Sequence, residues 1–113
     1  MQTIAETSEF LRKSGRLLDE NEKMSIIEYL ALHPKAGTVL QGTGGIRKLR
    51  RPRKGMGKSG GFRIIHDKSM PLYLLTVFGK GEKQNLSKRE RNELGKLVKL
   101  LVQSWKNRQG EPK

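Results

Sequence analysis

Seven consecutive residues, Leu72–Phe78 (LYLLTVF), constrain the fold most. Successive side chains of a strand point to opposite faces, so this run places apolar groups on both. Such a strand is central and buried in a sheet. Around it the chain changes texture. Ten of the 13 glycines lie between Gly37 and Gly81, and helical periodicity is absent there. Ile46–Arg50 reads as a strand, Arg51–Gly60 as a basic loop and Gly61–His66 as a second strand. The short polar segment His66–Pro71 suits a hairpin connection to Leu72.

Helices flank this region. Ser8 is positioned to cap a short helix with Phe10, Leu11, Leu17 and Leu18 near one face. Asp19 or Asn21 caps a second, in which Met24, Ile27 and Leu30/Ala31 follow at helical spacing, and Pro34 ends it. Ser87–Glu90 is a capping-box pattern. Leu94, Leu97, Val98, Leu101, Val102 and Trp105 then form a stripe suited to cover one face of the sheet. Met1–Glu6 has the makings of a short strand. The expectation is one small α/β (α+β) domain over residues 1–113, with a frayed tail from Asn107.

Charge narrows the partner. Lys and Arg number 24 against 11 Asp and Glu, a net charge of +13. From Tyr29 through His66 there is no acid at all, yet nine Lys or Arg occur, eight of them between Arg47 and Arg63. A solvated surface normally mixes signs, so an acid-free basic span points to a polyanion, nucleic acid first. A basic loop kept only for solubility is the plainer alternative. The chain has no cysteine, which removes disulfides and thiolate metal sites. His33 and His66 lack metal-ligand spacing. No run is apolar and long enough to span a membrane, so a cytoplasmic protein without membrane partners is expected.

Arg47, Lys48, Arg50, Arg51, Arg53, Lys54 and Lys58 are candidate phosphate contacts. Gly55–Gly60 (GMGKSG) matches G-x-G-x-x-G, and its Gly-Lys-Ser resembles the end of a Walker A loop. However, Pro52 stands where that loop needs Gly, and a strand rather than a helix follows. No cofactor is therefore expected. Arg63 lies between Phe62 and Ile64, so alternation sends it to the face they avoid. A cation fixed on a strand is well placed to stabilise a developing charge. Lys80 and Lys83 follow the central strand and can join it, or simply belong to a polar turn. His66 is a possible general acid or base, although a lone histidine is more often incidental. The basic half lacks paired carboxylates, which disfavours metal-dependent nuclease chemistry. RNA offers another route, because its own 2′-OH can attack the adjacent phosphate.

Four ordered segments carry a resemblance: HPKAG (His33–Gly37), GTGGIRKLR (Gly42–Arg50), GKSGGFRII (Gly57–Ile65) and YLLTVFGKGEKQNLSKRERNEL (Tyr73–Leu94). Together they resemble the RelE-like toxins, most nearly the HigB-type toxins of type II toxin–antitoxin pairs, over roughly Ser8 to Trp105. The resemblance implies a small fold with an N-terminal strand, two helices, an antiparallel sheet and a C-terminal helix. It implies a ribosome-dependent endoribonuclease that cuts mRNA in the ribosomal A site. It further implies neutralisation by a cognate antitoxin, commonly of a helix-turn-helix, HigA-like kind, with operator DNA bound only through the complex. Arg63 then matches the family's strand arginine, and Lys80 and Lys83 its basic pair after the last strand. Arg47, Arg50 and Lys58 match basic positions that hold RNA. Two departures stand out. His66–Asp67 occupies a place where related toxins often have aromatics, and Asn107–Lys113 has neither the Tyr nor the His often found at their C-termini. A non-catalytic, ParE-like inhibitor of DNA gyrase and a plain RNA- or ribosome-binding module are the alternatives.

Overall fold

A computed structural model describes residues 3–52, 61–83 and 85–110. It is a small α/β fold with an N-terminal strand, helices on both faces of a mixed sheet, and the order β1 (Ile4–Glu6), α1 (Ser8–Leu17), α2 (Glu20–Leu32), β2 (Thr38–Val39), β3 (Arg47–Arg51), β4 (Phe62–Asp67), β5 (Leu72–Gly79), α3 (Lys88–Gly110). The strands lie in the order β1-β5-β4-β3-β2. Among the described residues only β1 pairs parallel, against β5; the other three pairings are antiparallel.

The helix starts follow from their caps. Thr7, not Ser8, caps α1, its hydroxyl accepting from the Phe10 N–H at 3.1 Å. Asp19 caps α2 in a reciprocal box: its side chain accepts from Glu22 N–H (2.7 Å) and Glu22 accepts from Asp19 N–H (2.9 Å). Ser87 and Glu90 repeat the device at α3, with bonds of 3.1 and 2.8 Å. α3 runs on past Asn107 to Gly110.

Strand β5 is the seam of two cores. On one face Leu72, Leu74 and Val77 meet Ile64 and Phe62 of β4 and, from α1 and α2, Phe10, Leu18, Ile26 and Leu30. On the other, Tyr73, Leu75 and Phe78 meet Ile65, Ile46 and, from α3, Val98, with Leu94, Leu101 and Val102 packed alongside. Each fully buried large side chain contributes about 1.5–3 kcal/mol of transfer free energy, so both layers are needed to hold the strand. The helical stripes differ from expectation in detail. Leu11 and Met24 are exposed, while Ile26 takes the core place expected of Met24.

Two irregularities shape the sheet. Opposite Ile65 and His66, β5 carries one extra residue: Ile65 pairs with Thr76, but His66 pairs with Leu74. Leu75 and Thr76 thus both lean to the α3 face, and Phe78 follows them there while Val77 turns to α1. The second is β2, a two-residue strand that strand-length patterning does not mark. It exists because Gly37 brings the chain against β3. Gly37 has φ 99°, and a Cβ there would stand 2.5 Å from the Lys48 carbonyl oxygen. Gly61, at φ 98°, is equally close to Arg51 O, 2.3 Å from a built Cβ. Both the left-handed backbone and the clash exclude a side chain. Gly61→Ala is expected to destabilise the fold by about 2 kcal/mol or more, read as a lower denaturant midpoint at unchanged slope. A midpoint like that of the wild type would show that the strand entry relaxes freely.

Candidate functional site

Strand β3 carries four cations in five residues, and its pleat sorts them between two faces. Arg47 and Arg51 turn toward α2. The Arg47 Nη1 donates to the carbonyls of Lys35 (3.0 Å) and Gly37 (3.4 Å). The Arg51 Nη2 donates to Ser25 Oγ at 3.0 Å, and its guanidinium lies 4.8 Å from the Tyr29 ring centroid. Both arginines therefore brace the α2 side of the sheet. Lys48 and Arg50 turn the other way, to the α3 side.

There they meet Arg63. In the ladder Arg50 stands opposite Arg63, and Arg63 opposite Phe78; Lys48 is opposite Ile65 in the next row. Arg63 is only 5% exposed, yet it has no hydrogen bond or carboxylate partner among the described residues, and its Nε is buried and unpaired. Burial first, then the neighbouring Arg50, holds its pKa below the ordinary guanidinium value. The Lys48 ammonium is likewise lowered by burial and then by Arg63 and Arg50. Three cations thus share one wall of the sheet, where burial and then neighbouring charge disfavour the charged forms of Lys48 and Arg63. Lys48 Nζ finds a neutral acceptor, Asn85 Oδ1, in the connection to α3. Asn85 received no role from sequence reasoning; its place in FGKGEKQN was the available signal.

The turn after β5 frames this wall. Lys80 N–H donates to Gly61 O at 3.2 Å, so Lys80 leaves the strand at the end where β4 begins. Glu82 pins the turn, accepting from Gly79 N–H (3.0 Å) and from Arg16 Nη2 of α1 (3.1 Å). Lys83 Nζ lies 5.2 Å from the Phe78 ring centroid and is paired with Glu90, the capping residue of α3. Lys83 is therefore a held and neutralised cation, unlike Arg63. Arg53, Lys54 and Lys58, and the whole Gly55–Gly60 motif, lie outside the described residues.

His66 lies on the opposite face from Arg63. It is fully buried, and Nε2 stands 2.8 Å from the Ala36 carbonyl oxygen. A carbonyl only accepts, so Nε2 carries the proton; Nδ1 is buried without a partner. Burial lowers its pKa most, the Ala36 bond raises it, Arg47 lowers it and Asp67 raises it. The imidazole is a neutral strut between β4 and the α2–β2 connection, and the sheet separates it from the cation wall. Among the described residues no group of three or more His, Asp or Glu could hold a metal ion, and no helix is long and apolar enough to cross a membrane. No family model matches the chain.

Two outcomes follow. A depressed histidine favours the folded state above its unfolded pKa, and that stabilisation is lost as pH falls through the folded value. In NMR titration His66 should protonate with a midpoint below 6.5, the ordinary imidazole value; a midpoint at or above it would contradict the buried neutral ring. Arg63→Met keeps the length and removes an unpaired buried charge. It should raise stability by about 1 kcal/mol, seen as a higher melting temperature. A lower one would mean that Arg63 is compensated in the free protein.

Proposed function

We propose that this protein is a toxin of a type II toxin–antitoxin pair with a RelE-like, HigB-type fold, acting in the cytoplasm as a ribosome-dependent endoribonuclease on mRNA in the A site. The observation that carries the reading is the nearly buried Arg63, with Arg50 and Lys48 beside it and no partner among the described residues. A charge held in this way among other cations suits an incoming anion. The segment resemblance supplies the class of anion, an RNA phosphate.

The chemistry asks little of the protein beyond fixed charge. The 2′-oxygen attacks the adjacent phosphorus, the bond to the 5′-oxygen breaks, and a 2′,3′-cyclic phosphate and a 5′-hydroxyl result. One proton leaves the 2′-hydroxyl and one reaches the departing oxygen. Arg63 is placed to neutralise the charge that grows on the phosphoryl oxygens, with its planar fork held by the strand. Lys48, whose proton is loosened by burial and then by Arg63 and Arg50, is suited to one of the two transfers. Arg50 binds the backbone beside them, and Lys80 lies at the rim. Lys83 orders the turn through Phe78 and Glu90. His66 takes no part. So small a wall does not itself align the 2′-hydroxyl in line with the leaving oxygen, which is the role left to the ribosome.

A cognate antitoxin, with an acidic segment suited to this wall, completes the proposal. Primer extension on a ribosome-bound message tests the enzyme directly. New codon-positioned 5′ ends should appear, and Arg63→Ala should reduce them by about 10²-fold or more. Arg63→Lys should lose most of the activity while retaining ribosome binding, since a point charge does not reproduce the fork. Translation arrest without new ends would sink the nuclease and leave a binding module.

A further inference from the structure

On the α2 side, Arg51 completes a stack for which the nuclease reading has no use. Tyr29 and His33 stand one turn apart on α2, their ring centroids 4.7 Å apart and their planes tilted by 41°. Arg51 lies 4.8 Å from the Tyr29 centroid. The order is therefore Arg51, Tyr29, His33. His33 is exposed and ends the helix, its N–H donating to Tyr29 O at 2.8 Å, so the main chain fixes where its ring begins. Pro34, Lys35 and Ala36 complete a shallow depression of about 410 Å³ against the two rings. Lys35 is exposed, and the Arg47 guanidinium holds its carbonyl.

The lining of the depression holds Lys35 and no acid; Asp19 and Glu22 lie beyond it, in the hollow beside Arg51. Tyr29 begins the acid-free span, which contains Lys35, Arg47 and Arg51. The nearest acids of α2 are Glu28, about 100° round the helix, and Glu22, two turns back and engaged with the Asp19 N–H. An aromatic pair beside an exposed lysine suits a nucleotide, which joins a π-face to a phosphate. A protein-docking core would instead be depleted of charge.

We infer that this is a second nucleic-acid contact: the His33–Tyr29 pair stacks one unpaired base of an RNA strand, Lys35 holds a flanking phosphate, and Arg51 backs the Tyr29 ring. The inference rests on the RNA-directed reading above for its choice of polymer. The depression lies on the opposite side of the sheet from Arg63, so the two contacts engage different stretches of RNA. That geometry suits a large folded RNA better than a short free one.

Equilibrium binding of the full chain to a short fluorescein-labelled 2′-O-methyl RNA strand, and to a duplex of the same sequence, tests it without cleavage. The double substitution Tyr29→Ala/His33→Ala should weaken single-strand binding about tenfold, the loss of one stacked base. The slope of log K against log salt should not change, because no cation is lost, and duplex binding should be unaltered. Lys35→Gln should instead reduce that slope by about 0.7. Tyr29→Phe/His33→Phe keeps both rings and should bind as the wild type does; its melting temperature controls for folding. Wild-type affinity in the alanine pair, equal loss on duplex, or a phenylalanine pair as weak as the alanine pair would each overturn the platform. So would loss of a protein partner with RNA affinity intact. Primer extension separates the two readings. Failure to cut would leave the platform standing, whereas intact cutting with unchanged RNA binding in the alanine pair would sink the platform alone.

Discussion

One guanidinium without a partner among the described residues sets the terms for the rest of the molecule. Arg63 is nearly buried, faces Arg50, and has no carboxylate among the described residues to offset its desolvation. A charge so placed costs stability, and the surrounding structure has to hold it in place. The sheet does so. β4 is an interior strand with β3 and β5 on either side, and its neighbours Phe62 and Ile64 are locked into the core beneath α1 and α2. The side chain that is least favourable to fold thus sits on one of the most firmly supported strands.

The same logic divides the basic block. Arg47 Nη1 donates to carbonyls of the α2–β2 connection, although its Nε is buried without a partner, and Arg51 meets a serine and an aromatic ring of α2, so both tie β3 to that side. Lys48 and Arg50, one residue out of step, meet no such partners beyond Asn85 among the described residues. A run that looks uniform in sequence is therefore two populations, one largely satisfied internally and one available. On the proposed function, the available population meets the scissile phosphate, and the braces keep it from drifting apart under its own repulsion.

Much of this arrangement was legible from the residues. The capping boxes at Asp19 and Ser87 announce their helices because the chemistry is local. Arg63 between Phe62 and Ile64 reveals its face because a strand alternates strictly over three residues. What lay hidden depends on distant partners. Nothing near Thr38–Val39 marks a strand; the glycine at position 37 only permits the approach that β3 completes. Lys83 looks as free as Lys80 until Glu90, seven residues on, is folded back against it. In sequence His66 stands beside Asp67 as a catalytic base would, and only the sheet's register shows it pointing to Ala36 on the far side.

The extra residue in β5 carries a consequence of its own. Strict alternation through Leu72–Phe78 would have set Phe78 in phase with Leu72 and Leu74, under α1. The bulge at Leu75 and Thr76 reverses the phase, so that Phe78 emerges beside Arg63 and offers its ring to Lys83. The bulge is thus a variable in its own right. Pairing the same strand without it, at unchanged length, would delete no charged group, yet it would exchange Phe78 with Val77 and present the cations with a different wall. A slip invisible in the sequence would be an inversion in space.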